Sequence, residues 1–98
     1  MNNQIDVELS EDIAGGVYAN LAMIAHSNTE FVVDFIQMFP GMPKAKVKSR
    51  VIVTPEHAKR LLDALTDNIR KYEEAFGVIA QNDNFNLNMN FGGAVGEA

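Results

Sequence analysis

Apolar and polar residues alternate with a period of two in several stretches of this chain and with a helical period in one. Residues 5–9, Ile-Asp-Val-Glu-Leu, alternate apolar with acidic side chains, which predicts a short edge strand with one buried face. Ser10-Glu11-Asp12-Ile13 predicts an N-capped helical turn, and Gly15-Gly16 lets the chain redirect into the next element. That glycine pair lacks the spacing and the following helix of a phosphate loop. Over residues 17–26 the odd positions Val17, Ala19, Leu21, Met23 and Ala25 are all apolar, a second strand. Ser27-Asn28-Thr29 is turn chemistry. Residues 31–39 form a third strand, apolar on both faces and therefore expected inside a sheet. After the turn Pro40-Gly41-Met42-Pro43, residues 44–54 alternate strictly. Ala45, Val47, Ser49, Val51 and Val53 take one face; Lys44, Lys46, Lys48, Arg50 and Ile52 take the other.

Register follows if pairing keeps apolar faces together. Val33 against Val51 and Phe35 against Ser49 does so, and sets Asp34 opposite Arg50. Ala25 against Phe31 and Leu21 against Phe35 does so as well, and sets His26 opposite Glu30. Both cross-strand pairs are complementary, as an antiparallel meander requires.

Thr54-Pro55-Glu56 reads as an N-cap, a proline at the first helical position and an acid at the positive end of the helix dipole. Ala58, Leu62, Leu65, Ile69, Tyr72 and Phe76 then recur at alternating spacings of four and three, Leu61 widens the stripe, and Gly77 caps the end. The stripe serves either to cover the odd-numbered sheet face, which has no other cover in so short a chain, or as a coiled-coil seam; the first reading is adopted. The predicted fold class is α+β: an antiparallel meander of about four strands followed by one long amphipathic C-terminal helix packed on one sheet face. Residues 1–79 make a single domain. Residues 80–98 are an Asn/Gly-rich tail in which residues 84–91 alternate perfectly, so that segment is either an extra strand or disordered.

Composition removes whole classes of function. A chain of 98 residues carries one core and no second domain. No apolar run is long enough to span a bilayer. With no cysteine there is no disulfide framework, thiol nucleophile, iron–sulfur cluster or thiolate zinc site. The first residues lack the basic and apolar regions of a secretory signal, which predicts a cytoplasmic protein. His26 and His57 lie on different elements without a metal-binding spacing, so they read as a strand-end partner of Glu30 and an exposed helix residue. Asp63 and Asp67, with Glu73 and Glu74, sit among Lys59, Arg60, Arg70 and Lys71 as a solvated helix face, with pairs such as Asp63 to Lys59 and Asp67 to Arg70 or Lys71. Ser10, Ser27 and Ser49 have no base placed by spacing. No enzyme, cofactor or metal is expected.

The net charge of −5 argues against nucleic acid as a partner, but its distribution complicates that average. Residues 1–43 hold six acids and no Lys or Arg, and then Lys44, Lys46, Lys48 and Arg50 arrive together on one strand face. That ladder either contacts phosphate, as a β-ribbon does, or complements acidic strands of its own or a partner chain; the second reading is preferred. A basic strand followed by a helix superficially resembles a ribbon-helix-helix repressor, but the second helix is missing. The even-numbered face also holds Tyr18, Ile24, Val32, Ile36, Met38 and Ile52, a large apolar surface to leave wet. One helix covers one face of a sheet, so the other face needs a second protomer, the tail or a client. A homo-oligomer, most simply a dimer, is therefore predicted.

The segments Val17-Tyr18-Ala19-Asn20-Leu21-Ala22, Glu30-Phe31-Val32-Val33-Asp34-Phe35, Pro40 to Arg50, Thr54 to Leu62 and Asn68 to Glu73 together resemble a bacterial family catalogued as domain of unknown function 3467. The resemblance covers roughly residues 5–78 and implies no catalytic residue, because the family carries no established activity. At the level of element order the meander and helix are also similar to the SecB export chaperone, whose members form oligomers and hold unfolded client chains. The functional expectation is a non-enzymatic, homo-oligomeric protein-binding module of chaperone-like character. The alternative is a nucleic-acid-binding protein that uses the basic strand.

Overall fold

The computed structural model describes residues 4–81, which form an α+β fold. A single helical turn, α1 (Glu11–Ala14), precedes the strands β1 (Leu21–His26), β2 (Phe31–Gln37) and β3 (Lys46–Val53), and a long helix, α2 (Pro55–Phe76), follows directly. The sheet is antiparallel in the order β1-β2-β3, so the strand that is apolar on both faces is the central one. The expected strand over residues 5–9 does not form. Those residues are extended coil, with Val7 92% exposed. Alternation makes a strand only where a neighbouring edge takes up its N–H and C=O groups, and among the described residues this segment has no such neighbour. The proposed strand over residues 84–91 lies outside the described residues.

β1 starts four residues later than the sequence pattern suggests, because Asn20 closes the ladder. Its backbone N–H donates to the Ile36 carbonyl at 3.0 Å. Its side-chain Nδ2 donates to the Met38 carbonyl at 2.9 Å, while Oδ1 accepts the Met38 N–H at 3.0 Å. One amide side chain thus stands in for a strand residue opposite Met38, and residues 17–19 leave the sheet.

The β2–β3 register is the expected one at Val33 with Val51, Asp34 with Arg50 and Phe35 with Ser49. Beyond Phe35 a bulge intervenes: Ile36 pairs with Val47 and Gln37 with Lys46, leaving Lys48 as the extra residue.

The β1–β2 register differs from the expected one by a single residue. Leu21 pairs with Ile36, Ala25 with Val32 and His26 with Phe31, whose rings stack at 5.2 Å. The turn is consistent with this register. Ser27 N–H donates to the Glu30 carbonyl at 2.9 Å, and Ser27 Oγ accepts the Thr29 N–H at 3.2 Å, so Asn28 and Thr29 form the tip. The alternative three-residue turn ordinarily needs a left-handed residue at its third position, which would be the β-branched Thr29. No non-glycine residue described here has a positive φ.

A one-residue slip turns a whole strand over. Leu21, Met23 and Ala25 therefore share a face with Val32, Asp34, Ile36, Arg50 and Ile52. Ala22, Ile24 and His26 share the other with Phe31, Val33, Phe35 and Val51. The first face holds the two buried side chains among the described residues, Asp34 and Ile36, each 2% exposed.

α2 begins as its residues dictate. Thr54 Oγ1 accepts the His57 N–H at 3.1 Å, Pro55 occupies the first helical position and Glu56 the first turn. It ends at Gly77, whose φ of +99° suits glycine and whose N–H donates to the Glu73 carbonyl at 2.9 Å. The expected packing of its apolar stripe on the sheet is not found. Leu61, Leu62, Leu65, Ile69, Tyr72 and Phe76 are 40% to 76% exposed. One extended residue, Thr54, joins β3 to Pro55. Connections that return a helix onto its sheet ordinarily use two or more residues, and this junction has no such slack.

Candidate protein interaction surface

Two groups of side chains were candidates for function, the basic ladder and the even-numbered apolar set; the helix stripe, expected to pack on the sheet, adds a third. In the ladder, Arg50 is already engaged. Its Nε donates to Asp34 Oδ1 at 2.6 Å and its Nη2 to Asp34 Oδ2 at 2.7 Å, a two-pronged, charge-assisted contact. Asp34 is enclosed in the sheet face while the Arg50 side chain is 49% exposed. The guanidinium hydrogen bonds hold the Asp34 carboxyl below its ordinary pKa against the opposing effect of burial, and the carboxylate in turn raises Arg50 above its own. This pair was expected from register, and it fixes the pairing of β2 with β3.

The rest of the ladder is not one row. Lys44 lies before β3, and Lys48 is the bulged residue. Lys46, beyond the bulge, stands opposite Gln37 and so on the other face from Arg50. The strict alternation in the sequence conceals this, since a bulge reverses facing without disturbing composition. Lys44, Lys46 and Lys48 are exposed and form no ion pair with the described residues.

The even-numbered apolar set also divides. Tyr18 precedes β1 and is exposed; Met38 follows β2 and is tied to Asn20. Ile24 lies on the face opposite Val32, Ile36 and Ile52, as a result of the register slip. Ile36 is buried and has no surface to offer a partner. No single apolar patch unites the six.

The helix stripe is continuous. Leu62, Leu65, Ile69, Tyr72 and Phe76 follow one another along α2, and the Tyr72 and Phe76 rings meet at 5.0 Å. The polar faces of α2 are organised around this stripe. Arg60 pairs with Glu56, Arg70 bridges Asp67 at 2.8 Å and Glu74 at 2.9 Å, and Lys71 reaches Asp67 at 3.2 Å. Arg70, and after it Lys71, lowers the Asp67 pKa. The pairing of Lys59 with Asp63 suggested by spacing does not form, and Lys59 makes no ion pair with the described residues. Glu73 accepts the Ile79 N–H through Oε2 at 2.9 Å and forms no ion pair with the described residues. The signal for this surface was the alternation of four and three, the spacing of a helix–helix seam.

Among the described residues, no group of three or more His, Cys, Asp or Glu could hold a metal ion, and no helix is long and apolar enough to cross a membrane. The family model described as Protein of unknown function (DUF3467) matches residues 1–81. No curated protein and no solved structure matches the chain, so the SecB-like order of elements is an analogy without a matching structure behind it.

Proposed function

This chain belongs to the family described as Protein of unknown function (DUF3467), and for it we propose a non-enzymatic role as a protein-binding module that works as a homo-oligomer, most simply a dimer. One observation carries the reading: the apolar stripe of α2 stands 40% to 76% exposed along 22 residues of helix. Most helical stability in proteins comes from packing an amphipathic face rather than from helix propensity. A helix so well capped and so regularly striped is built to be covered, and a contiguous exposed apolar surface marks an interaction site. The nucleic-acid reading loses support from the same geometry, because Arg50 is committed to Asp34 and the bulge breaks the lysine row.

Sedimentation equilibrium across micromolar protomer concentrations tests the proposal, with Leu65→Asp placed at the centre of the stripe. The wild-type chain is expected to sediment as an oligomer and the variant as a monomer of unchanged sheet content by circular dichroism. A wild-type chain that remains monomeric throughout overturns the reading.

A further inference from the structure

We propose that the α2 stripe is covered by the α2 stripe of a second copy of this chain, running antiparallel about a two-fold axis that crosses the seam midway between Leu65 and Ile69. This rests on the homo-oligomer reading and specifies its interface. The helix supplies the argument in its own residue order. Ala58, Leu62, Leu65, Ile69, Tyr72 and Phe76 form the seam. In a two-fold antiparallel pair each seam residue meets a different one on the other copy, and the contact repeats by symmetry. Centred midway between Leu65 and Ile69, the seam closes on itself without remainder: Leu65 meets Ile69, Leu62 meets Tyr72, and Ala58, the smallest side chain, meets Phe76, the bulky one at the far end. Small against large fills each layer.

The flanks agree with this arrangement. On one side of the seam stand Lys59, Thr66 and Glu73; on the other stand Leu61, Asn68 and Ala75. The antiparallel register sets Lys59 of each copy beside Glu73 of the other, Thr66 beside Thr66, Leu61 beside Ala75 and Asn68 beside Asn68. Among the described residues of its own chain Lys59 forms no ion pair, and the Glu73 carboxylate meets only a backbone N–H. On the outer surface, by contrast, Arg60 pairs with Glu56, Arg70 with Asp67 and Glu74, and Lys71 with Asp67, which leaves Asp63 as the acid there without an ion pair among the described residues. A parallel pair has none of this complementarity. It sets Ala58 on Ala58, Phe76 on Phe76 and Asn68 beside Glu73, with no opposite charges across the seam.

The chain has no cysteine, so a single introduced one carries a spin label uniquely. Labels at Lys59→Cys, Thr66→Cys and Glu73→Cys in the full chain separate the geometries by electron–electron distance. The antiparallel pair gives a short distance at position 66 and long ones at 59 and 73, displaced by about 24 Å and about 18 Å along the axis. Equal short distances at all three positions overturn the antiparallel arrangement while leaving the homo-oligomer standing. Long distances at all three place the interface elsewhere on the chain. No dipolar coupling, with monomeric sedimentation, removes both this inference and the reading on which it rests. Charge reversal supplies the second readout. Lys59→Glu and Glu73→Lys are each expected to weaken self-association about tenfold, and the double reversal to restore it; a double variant as weak as the singles overturns the pairing.

Discussion

Replacing Arg50 with Met retains most of the aliphatic stem and removes the guanidinium, which leaves the Asp34 carboxylate enclosed in the sheet face with neither of its charged donors. Stranding a buried acceptor costs about 1–3 kcal/mol, and more for a charged group. Because Arg50 is 49% exposed, water can partly replace the lost donors, and a loss of about 2 kcal/mol at neutral pH is expected. The pH dependence is the sharper part of the prediction. In the wild-type chain the folded pKa of Asp34 lies below its ordinary value of about 3.9. The stability this group contributes is therefore present above the unfolded pKa and lost as pH falls through the folded one. In Arg50→Met only burial acts, which raises the folded pKa above the unfolded one. The group then favours folding when protonated, and that advantage disappears as pH rises through the raised value. The difference in unfolding free energy between the two proteins should grow from small near pH 3 to its full size by about pH 7. Urea denaturation followed by circular dichroism at fixed protomer concentration measures it, since association would otherwise shift the midpoint. A difference that is flat in pH, or largest in acid, refutes the assignment of Asp34 as an enclosed carboxylate held by Arg50.

Two further perturbations probe the ends of the elements. Asn20→Ala removes both side-chain bonds to Met38 and should cost about 1–2 kcal/mol, with accelerated hydrogen exchange at the Met38 amide and unchanged exchange at the centre of β2; unchanged protection at Met38 counts against the amide as a ladder residue. Gly77→Ala meets no neighbouring atom within 4 Å, so its cost comes from the backbone alone, about 1 kcal/mol or more at φ +99°, read as a lowered melting temperature; a neutral result would show that α2 does not need this cap.

The parts of the fold that were legible in the sequence are those decided by neighbours along the chain. The limits of α2 follow from Thr54, Pro55 and Gly77, and all three act as their chemistry predicts. The β2–β3 register was legible because keeping the apolar faces together sets Val33 against Val51, and the same register brings Asp34 opposite Arg50. What was not legible depended on events that leave the alternation intact. The bulge at Lys48 reverses the facing of Lys46 while the row of basic residues looks unbroken, so the ladder existed in the sequence and not in space. The strand over residues 5–9 needed an edge to pair with, and no pattern within five residues can report whether one is present.

The β1–β2 slip shows how two plausible local arguments compete. The sequence offered a complementary pair, His26 with Glu30, and an unbroken odd-numbered apolar face. A cross-strand pair of that kind contributes about 0.2–1 kcal/mol. Its register requires the three-residue turn, and forcing Thr29 into the left-handed region costs about 1–2 kcal/mol. In the observed register Thr29 avoids the left-handed region, His26 stacks on Phe31 instead, and β1 presents Leu21, Met23 and Ala25 to the face of Asp34 and Ile36. The consequence reaches the functional reading. With β1 turned over, Ile24 leaves the set that had pointed to a docking patch on the even-numbered face, and the buried Ile36 is unavailable to it. The case for a second chain then moves from the sheet to α2, whose seam is a single uninterrupted helix and is therefore untouched by errors of register.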